Sequence, residues 1–307
     1  MGSADAVEVT VVIPCRGHAP MLAACVRSVT AQPPPWAYEV IVVDSASDDD
    51  VARVTNQFEG VRLVRSAEPL FAGPARNLGV EHARGRCVAF IDADCVAEKG
   101  WLEAAHGALG DEAARLVGGP VGDLLHGQWI AAADNLLQFV DLPVSRSPGR
   151  ARHLPSCNMA MRTADFLAVG RFPDTHLNVG EDVLLCNTVL SRWRESLRFA
   201  PAMAVRHSGR TTWREYLGHH RLFGYARAMN GLHVRPWHLS WGRHAVMVPL
   251  MTLKRLGYVL LSGVRYRGWG GWRIMALLPL TLPGLWSSAL GFHRGCRERT
   301  RRSEARS

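Results

Sequence analysis

Three runs of apolar, largely β-branched residues constrain this 307-residue chain more than any other feature: VTVVIP (9–14), YEVIVVD (38–44) and CVAFID (87–92). A strand with one wet face alternates apolar and polar side chains, whereas an unbroken apolar run belongs to a strand covered on both faces. Between the runs, apolar residues recur at helical spacing in MLAACVRSVTAQ (21–32), DVARVTNQF (50–58) and GPARNLGVEHARG (73–85). VRLVRS (61–66) reads as a further short strand. Strand and helix alternating over roughly 30 residues per unit predict βαβ crossovers, hence an α/β fold with a mostly parallel sheet flanked by helices. Ligands of such sheets bind beyond the carboxyl ends of the strands. Pro14, Asp44 and Asp92 stand at those ends.

The composition, 48% hydrophobic and 21% charged, is that of a folded chain. Seven cysteines, none in a CxxC pair, favour reduced thiols in a cytosolic setting over a disulfide scaffold or a zinc site. The opening MGSADAVEVTVVIP has no basic segment of the kind that begins a signal peptide. Residues 99–190 are less regular. WLEAAHGAL, QWIAAADNLLQFVDLP, TADFLAVG and EDVLLCNTVLSRW read as helices, and LPSCNMAMR as an extended piece.

Two common nucleotide-binding devices are absent. No GxxxxGK[ST] occurs, since neither Lys99 nor Lys254 follows a glycine, and no GxGxxG follows the first strand. What remains is Asp92-Ala93-Asp94, two carboxylates at i and i+2 just past a buried strand. Both can face one hard cation that in turn bridges diphosphate oxygens. In a random surface loop the same pair would simply be solvated. Its place after the fourth strand of a βαβ series favours the cation.

The blocks VVIPCRG…LAACVRSVTAQ, EVIVVDSASDD, GPARNLGVEHARGRCVAFIDAD, SCNMAMRTADFLAVGRF and GEDVLLCNTVLSRW occur in an order and spacing that resemble the family 2 glycosyltransferases of GT-A fold, over roughly residues 8–210. The resemblance implies a Rossmann-like mixed sheet, an inverting sugar transfer from a nucleotide diphosphate donor, and a Mn²⁺ or Mg²⁺ cofactor. It implies that Pro14, Asp44, Arg76, Asn77 and Asp92 line the donor side, with Ser45 standing where family members often carry a second Asp or Asn. A helix start pairing Arg76 with a nearby carboxylate is the alternative for that residue. Asp94, with Asp92, would hold the metal, and His207 would approach it unless it is a packing histidine. Asn158 and Met159 would sit near the sugar and the acceptor. Glu181 and Asp182 match the catalytic acid pair, with Asp182 as base and Glu181 orienting the acceptor. As helix-start carboxylates they would also be favoured by the helix dipole.

The charge is asymmetric. Residues 1–191 carry 15 Lys+Arg and 23 Asp+Glu, a balance of −8, whereas residues 192–307 carry 21 and 4, a balance of +17. Such a segment is a footprint for phosphates in lipid headgroups, nucleotides or nucleic acid. TTWREYLGHHRLFGYAR (211–227) is an expected helix, with Trp213 as an acceptor contact and Arg221 either clamping the leaving diphosphate or lying on a solvated basic face. Two apolar stretches follow, 245–263, interrupted by Lys254 and Arg255, and 274–292, with two prolines. Charge placement suits neither one span nor two. The expectation is therefore a catalytic domain over 1–210 and a helical appendage over 211–307 that lies in the cytoplasmic leaflet of the cell membrane. A buried helical subdomain or a dimer interface is the alternative. The acceptor is expected to be a hydroxyl on a lipid-linked molecule or a glycan. A nucleic-acid-binding protein and a silent sugar-nucleotide-binding module are the competing classes. Nucleic acid is not expected, because the basic residues lie among apolar runs and form no groove-reading motif.

Overall fold

The computed structural model describes residues 6–17, 19–47, 50–125, 127–143, 145–175, 177, 179–232, 236–267 and 271–304. In chain order the first elements are β1 (Val9–Cys15), α1 (Ala19–Thr30), β2 (Tyr38–Ser45), α2 (Val51–Thr55), β3 (Val61–Ser66), α3 (Ala72–Glu81), β4 (Cys87–Ile91), β5 (Cys95–Ala97) and α4 (Trp101–Leu109). Then come β6 (Leu116–Gly118), β7 (Val121–Asp123), α5 (Trp129–Phe139), β8 (Gly149–Arg150), β9 (Asn158–Arg162), α6 (Thr163–Ala168) and α7 (Glu181–Arg192). The chain continues through β10 (Leu197–Phe199), β11 (Val205–His207), α8 (Trp213–Asn230), α9 (Pro236–Gly242), α10 (Met247–Arg267) and α11 (Gly271–Glu304).

The main sheet has the order β3-β2-β1-β4-β9-β6-β10-β8. β1 pairs in parallel with both β2 and β4, and β2 with β3, as the βαβ reading requires. β9 runs antiparallel between β4 and β6, which makes the sheet mixed. The apolar runs are the central strands: Val11, Val12, Ile13, Ile41, Val42, Val43 and Val88 through Ile91 have no exposed surface. Helix α3 packs hard onto this sheet through Gly79, where a Cβ would stand 2.4 Å from Val12 Cγ1. In a second sheet, β5-β11-β7, strand β5 directly follows the strand-end carboxylates in sequence and β11 carries His207 at its last position.

The chain forms two compact units. One comprises residues 1–124 and 147–207, the other 125–146 and 208–307. The chain passes into the second unit after His207, and residues 125–146 group with that unit as well. The reason is apolar: Ala133, Leu136, Leu137 and Val140 on and just after α5 bury against Tyr216 of α8, Val259 of α10 and Leu285 of α11. Inside this unit α8 and α11 approach to backbone contact, since a Cβ on Gly224 would meet Ser288 O at 1.8 Å and one on Gly291 would meet Arg221 O at 1.9 Å. The two apolar C-terminal stretches therefore have different fates. The one over 274–292 lies in a continuous helix that runs through Pro279 and Pro283 and buries Thr281, Leu285, Ala289 and Phe292. Among the described residues, only Met247–Arg265 is long and apolar enough to cross a membrane.

Candidate active site

Three strand ends of the first unit converge on a set of paired charges. At the end of β2, Asp44 is fully buried and accepts from Arg65 Nε at 2.7 Å and from the Ser47 amide at 3.1 Å. Ser47 Oγ accepts in turn from the Gly17 amide at 2.8 Å, so the turns after β1 and β2 are tied together. Pro14 sits beside Val43 in the β1–β2 register and is half-buried.

Arg76 is the hub. It projects from α3, is 1% exposed, and donates to Asp92 Oδ1 and, at 3.0 Å, to Glu181 Oε1. Its guanidinium lies over the Phe172 ring with the centroid 5.4 Å away. Burial works against its charge, but the Asp92 and Glu181 carboxylates outweigh burial and hold its pKa above the ordinary value. Arg76 thus couples the end of β4 to the start of α7, which is the pairing weighed above as an alternative to donor contact. Asn77 is also engaged: its amide donates to Phe172 O at 2.8 Å and accepts from the Phe172 amide at 3.0 Å.

The acid pair opens α7. Gly180 caps the helix at φ 89°, in the left-handed region where glycine carries no steric penalty. Glu181 accepts from Arg76 and from Ser156 Oγ at 3.1 Å. Burial first, then the neighbouring Asp182 charge, push its carboxyl up against the pull of Arg76. Asp182 takes the opposite direction. Burial opposes its ionisation, but His153, the Val183 amide and Arg76 outweigh that and hold it below the usual carboxylate range. His153 Nε2 lies 3.1 Å from Asp182 Oδ2, and the Val183 amide donates to Oδ1 at 2.7 Å. Adjacent carboxylates displaced in opposite directions have different proton affinities, the arrangement that acid–base pairs use.

On the other side of β4, Asp94 is 37% exposed at its side chain and its Oδ2 lies 3.4 Å from His207 Nε2. His207 itself is 4% exposed. Among the described residues no group of three or more His, Cys, Asp or Glu is arranged to hold a metal ion. Asp94 and His207 nonetheless offer one oxygen and one nitrogen donor at a single point, the chemistry an octahedral cation accepts when ligand phosphates complete its shell.

The expectation of acceptor contact at Asn158 and Met159 does not fit their burial. Both are 0% exposed. Asn158 donates to Pro120 O at 3.0 Å and Met203 O at 2.8 Å, and accepts from Trp101 Nε1 at 2.9 Å. It ties the start of β9 to the turns before β7 and β11 and to α4, and Met159 fills the core between β4 and β6. Trp213 and Arg221 lie on α8 in the second unit, Trp213 edge-on to Tyr216 at 5.7 Å and Arg221 exposed. The strand-end cluster is built by the first unit. His153 and Ser156 are members of it that sequence reasoning did not single out, because a polar loop carries no period that marks one side chain.

Residues 10–162 match the family described as Glycosyl transferase family 2. The chain belongs to this family. The matched span holds Asp44, Arg76, Asp92 and Asp94 and ends before the Glu181–Asp182 pair. The chain is 31% identical over 180 residues to "Glycosyltransferase AglE" of Haloferax volcanii, covering 57% of this chain and 59% of the relative. It is 30% identical over 231 residues to "Pre-mycofactocin glycosyltransferase" of Mycobacterium tuberculosis, covering 72% of this chain and 47% of the relative. This family 2 chain thus spans about half to three-fifths of those relatives' length. Its fold is that of solved GT-A glycosyltransferases. A mannosyltransferase from Pyrobaculum calidifontis, in complex with GDP-Man and Mn²⁺, superposes with a TM-score of 0.57 at 18% identity, over 93% of this chain and 86% of that one. Residues 1–349 of S. aureus TarS, in complex with UDP-GlcNAc, superpose with a TM-score of 0.56 at 15% identity, over 97% and 92%.

Proposed function

We propose that this family 2 chain transfers a sugar, with inversion, from a nucleotide diphosphate donor to a hydroxyl acceptor, and that Asp182 is the general base. The observation that carries the reading is the opposed environment of Glu181 and Asp182: one carboxyl is pushed up and held by Arg76, the other is kept ionised beside His153. In the transfer, Asp182 takes the acceptor hydroxyl's proton as its oxygen forms the bond to the anomeric carbon. The bond from that carbon to the diphosphate oxygen breaks on the opposite face, and its electron pair leaves with the diphosphate. Glu181, fixed by Arg76 and Ser156, orients the acceptor. Asp44 and Asp92, at the ends of β2 and β4, bind the nucleoside and sugar portions of the donor. Asp94, with His207 and Asp92, would hold a divalent cation, Mn²⁺ or Mg²⁺. When bound, such a cation neutralises the charge that develops on the departing diphosphate.

Relatives of this fold were crystallised with UDP-GlcNAc and with GDP-Man and Mn²⁺, which supports the donor class and the cation without choosing a base. The acceptor is read as lipid-linked or glycan, met at the cytoplasmic face of a membrane. Support comes from the second unit, where residues 216–297 contain no Asp or Glu and α10 is apolar over Met247–Arg265.

The test is donor binding and turnover with UDP-, GDP- and dTDP-sugars in Mn²⁺, Mg²⁺ or EDTA, repeated for Asp94→Asn and Asp182→Asn. The expected result is cation-dependent binding of one donor, weakened by Asp94→Asn alone, with turnover lost in both variants. Absence of binding to every donor with either cation would overturn the reading.

A further inference from the structure

Helix α10 has two opposite apolar faces, and only one is used within the described chain. Val248, Thr252, Val259 and Ser262 are 2–5% exposed and form the inward face. Leu250, Leu253, Leu261 and Val264 are 54, 60, 73 and 56% exposed. Their spacings of three, eight and three residues bring them to one side of a 3.6-residue turn, diametrically across from the buried set. Gly257 falls on the same line, so no side chain interrupts it. From Leu250 to Val264 the stripe runs about 21 Å at the helical rise. A soluble surface scatters large apolar residues singly; a continuous row of aliphatic side chains in water marks a docking face.

The surroundings of the row state its occupant. Helix α9 adds Trp237 and Trp241, 47 and 55% exposed, with ring centroids 5.4 Å apart. Lys254 joins that pair to α10: its Nζ lies 5.6 Å from the Trp237 centroid and 2.8 Å from His238 Nε2. Lys254 and Arg265 fall about a quarter-turn from the centre of the stripe, both exposed. No acidic residue lies anywhere between 216 and 297. A second protein surface would be met by both signs of charge. One carboxylate from outside that span, Asp141, meets Tyr258 beside this edge, which stays net basic through Lys254 and Arg265. An aliphatic row with tryptophans beside it and cations along its edge is complementary to acyl chains beneath anionic headgroups.

We propose that the α9–α10 face is an interfacial membrane-binding surface for anionic phospholipid, with α10 lying along the bilayer plane and its Leu250–Val264 stripe in the acyl boundary. This makes the membrane part of the reading above specific and does not depend on the transfer chemistry. It also gives Lys254 a place that a spanning helix denies it: in the plane of the membrane the ammonium reaches headgroups, whereas mid-span it would face hydrocarbon.

The full chain is tested by flotation with phosphatidylcholine vesicles and with vesicles containing 30% phosphatidylglycerol, at 0.1 and 0.5 M salt, beside Leu253→Glu/Leu261→Glu and Lys254→Gln/Arg265→Gln. Helical circular dichroism, the thermal midpoint and donor binding by the first unit report that each variant is folded. The expected result is flotation with the anionic vesicles, weakened by salt, reduced about tenfold or more by the leucine pair and several-fold by the basic pair. Equal flotation with both vesicle types, or flotation unchanged in the leucine variant, overturns the proposal. So does resistance of the bound chain to alkaline carbonate, which marks a span, or a dimer in solution that the leucine pair dissociates without vesicle binding by the wild type. Loss of donor turnover with flotation intact would instead count against the transferase reading alone.

Discussion

His153 Nε2 stands 3.1 Å from Asp182 Oδ2, although 29 residues separate the two in sequence. The contact sets the two adjacent acids apart, and it is the ground on which Asp182 is proposed as the base. Glu181 meets Arg76 instead, but burial and the neighbouring Asp182 charge push its carboxyl up against the pull of that guanidinium. Asp182 is kept ionised by the imidazole and by the Val183 amide. A base must be unprotonated before the acceptor arrives, and Asp182 meets that condition where Glu181 is opposed.

Replacing His153 by Gln removes the first of the groups that offset the burial of Asp182, so the Asp182 carboxyl moves up. A depressed carboxyl serves as base at every pH above its lowered value. In His153→Gln that value rises, and the acid limb of the kcat/KM profile shifts to higher pH. The expected loss at neutral pH is about 10-fold, against about 10³-fold for Asp182→Asn. A profile whose limb does not move would reduce His153 to a packing residue.

Arg76→Met should be among the most destabilising changes in the first unit. It removes the countercharge that the buried Glu181 shares with the partly exposed Asp92. The expected cost is about 3–5 kcal/mol, read as a lower midpoint in urea unfolding, with Glu181→Gln restoring part of it by removing one of the two charges.

Asp94→Asn is the contrasting case. Its side chain is 37% exposed, so the fold tolerates the change and the thermal midpoint should stay within about 2 °C. Donor affinity in Mn²⁺ should fall about 10-fold or more, while the weak affinity in EDTA stays as in the wild type. Equal loss with and without cation would place Asp94 on the sugar and not on the metal.

Asp134 governs the second unit. It has no exposed surface, and its carboxylate meets Arg210 at 3.3 Å and His220 at 3.0 Å, tying α5 to the segment before α8 and to the helix itself. Burial opposes its charge, but the close His220 imidazole and the Arg210 charge prevail and bring it to about 2. The stabilisation is therefore present above the unfolded value of about 4 and is lost as pH falls from there towards about 2, by roughly 2 kcal/mol. Asp134→Asn should flatten that acid dependence as well as lower the midpoint at pH 7. Thermal melts between pH 2 and 5 check it.

Asn158→Ala tests whether that residue is framework or acceptor contact. Three hydrogen bonds to buried partners are lost, at about 2–4 kcal/mol in total. The acceptor KM of the folded fraction should remain unchanged.

By itself the sequence determined what local pattern can carry. Unbroken apolar runs made β1, β2 and β4 central strands, because only a position covered on both faces rewards such a run. The same alternation put Asp44, Asp92 and Asp94 at or just beyond carboxyl ends of strands, where a parallel sheet opens its ligand site. Only the tertiary structure decided how the polar side chains were shared out. Arg76 reaches partners 16 and 105 residues away, and whether it faced donor or carboxylate depended on β4 and α7 closing around it. Asn158 spends its side-chain hydrogen bonds on Trp101, Pro120 and Met203, and α5 groups with the second unit through its apolar face. The physical reason is common to all of these. A strand or helix is specified by the period of its own residues, but a buried charge or amide takes whatever partner packing brings to its unmet hydrogen bonds, and that partner leaves no period in the chain.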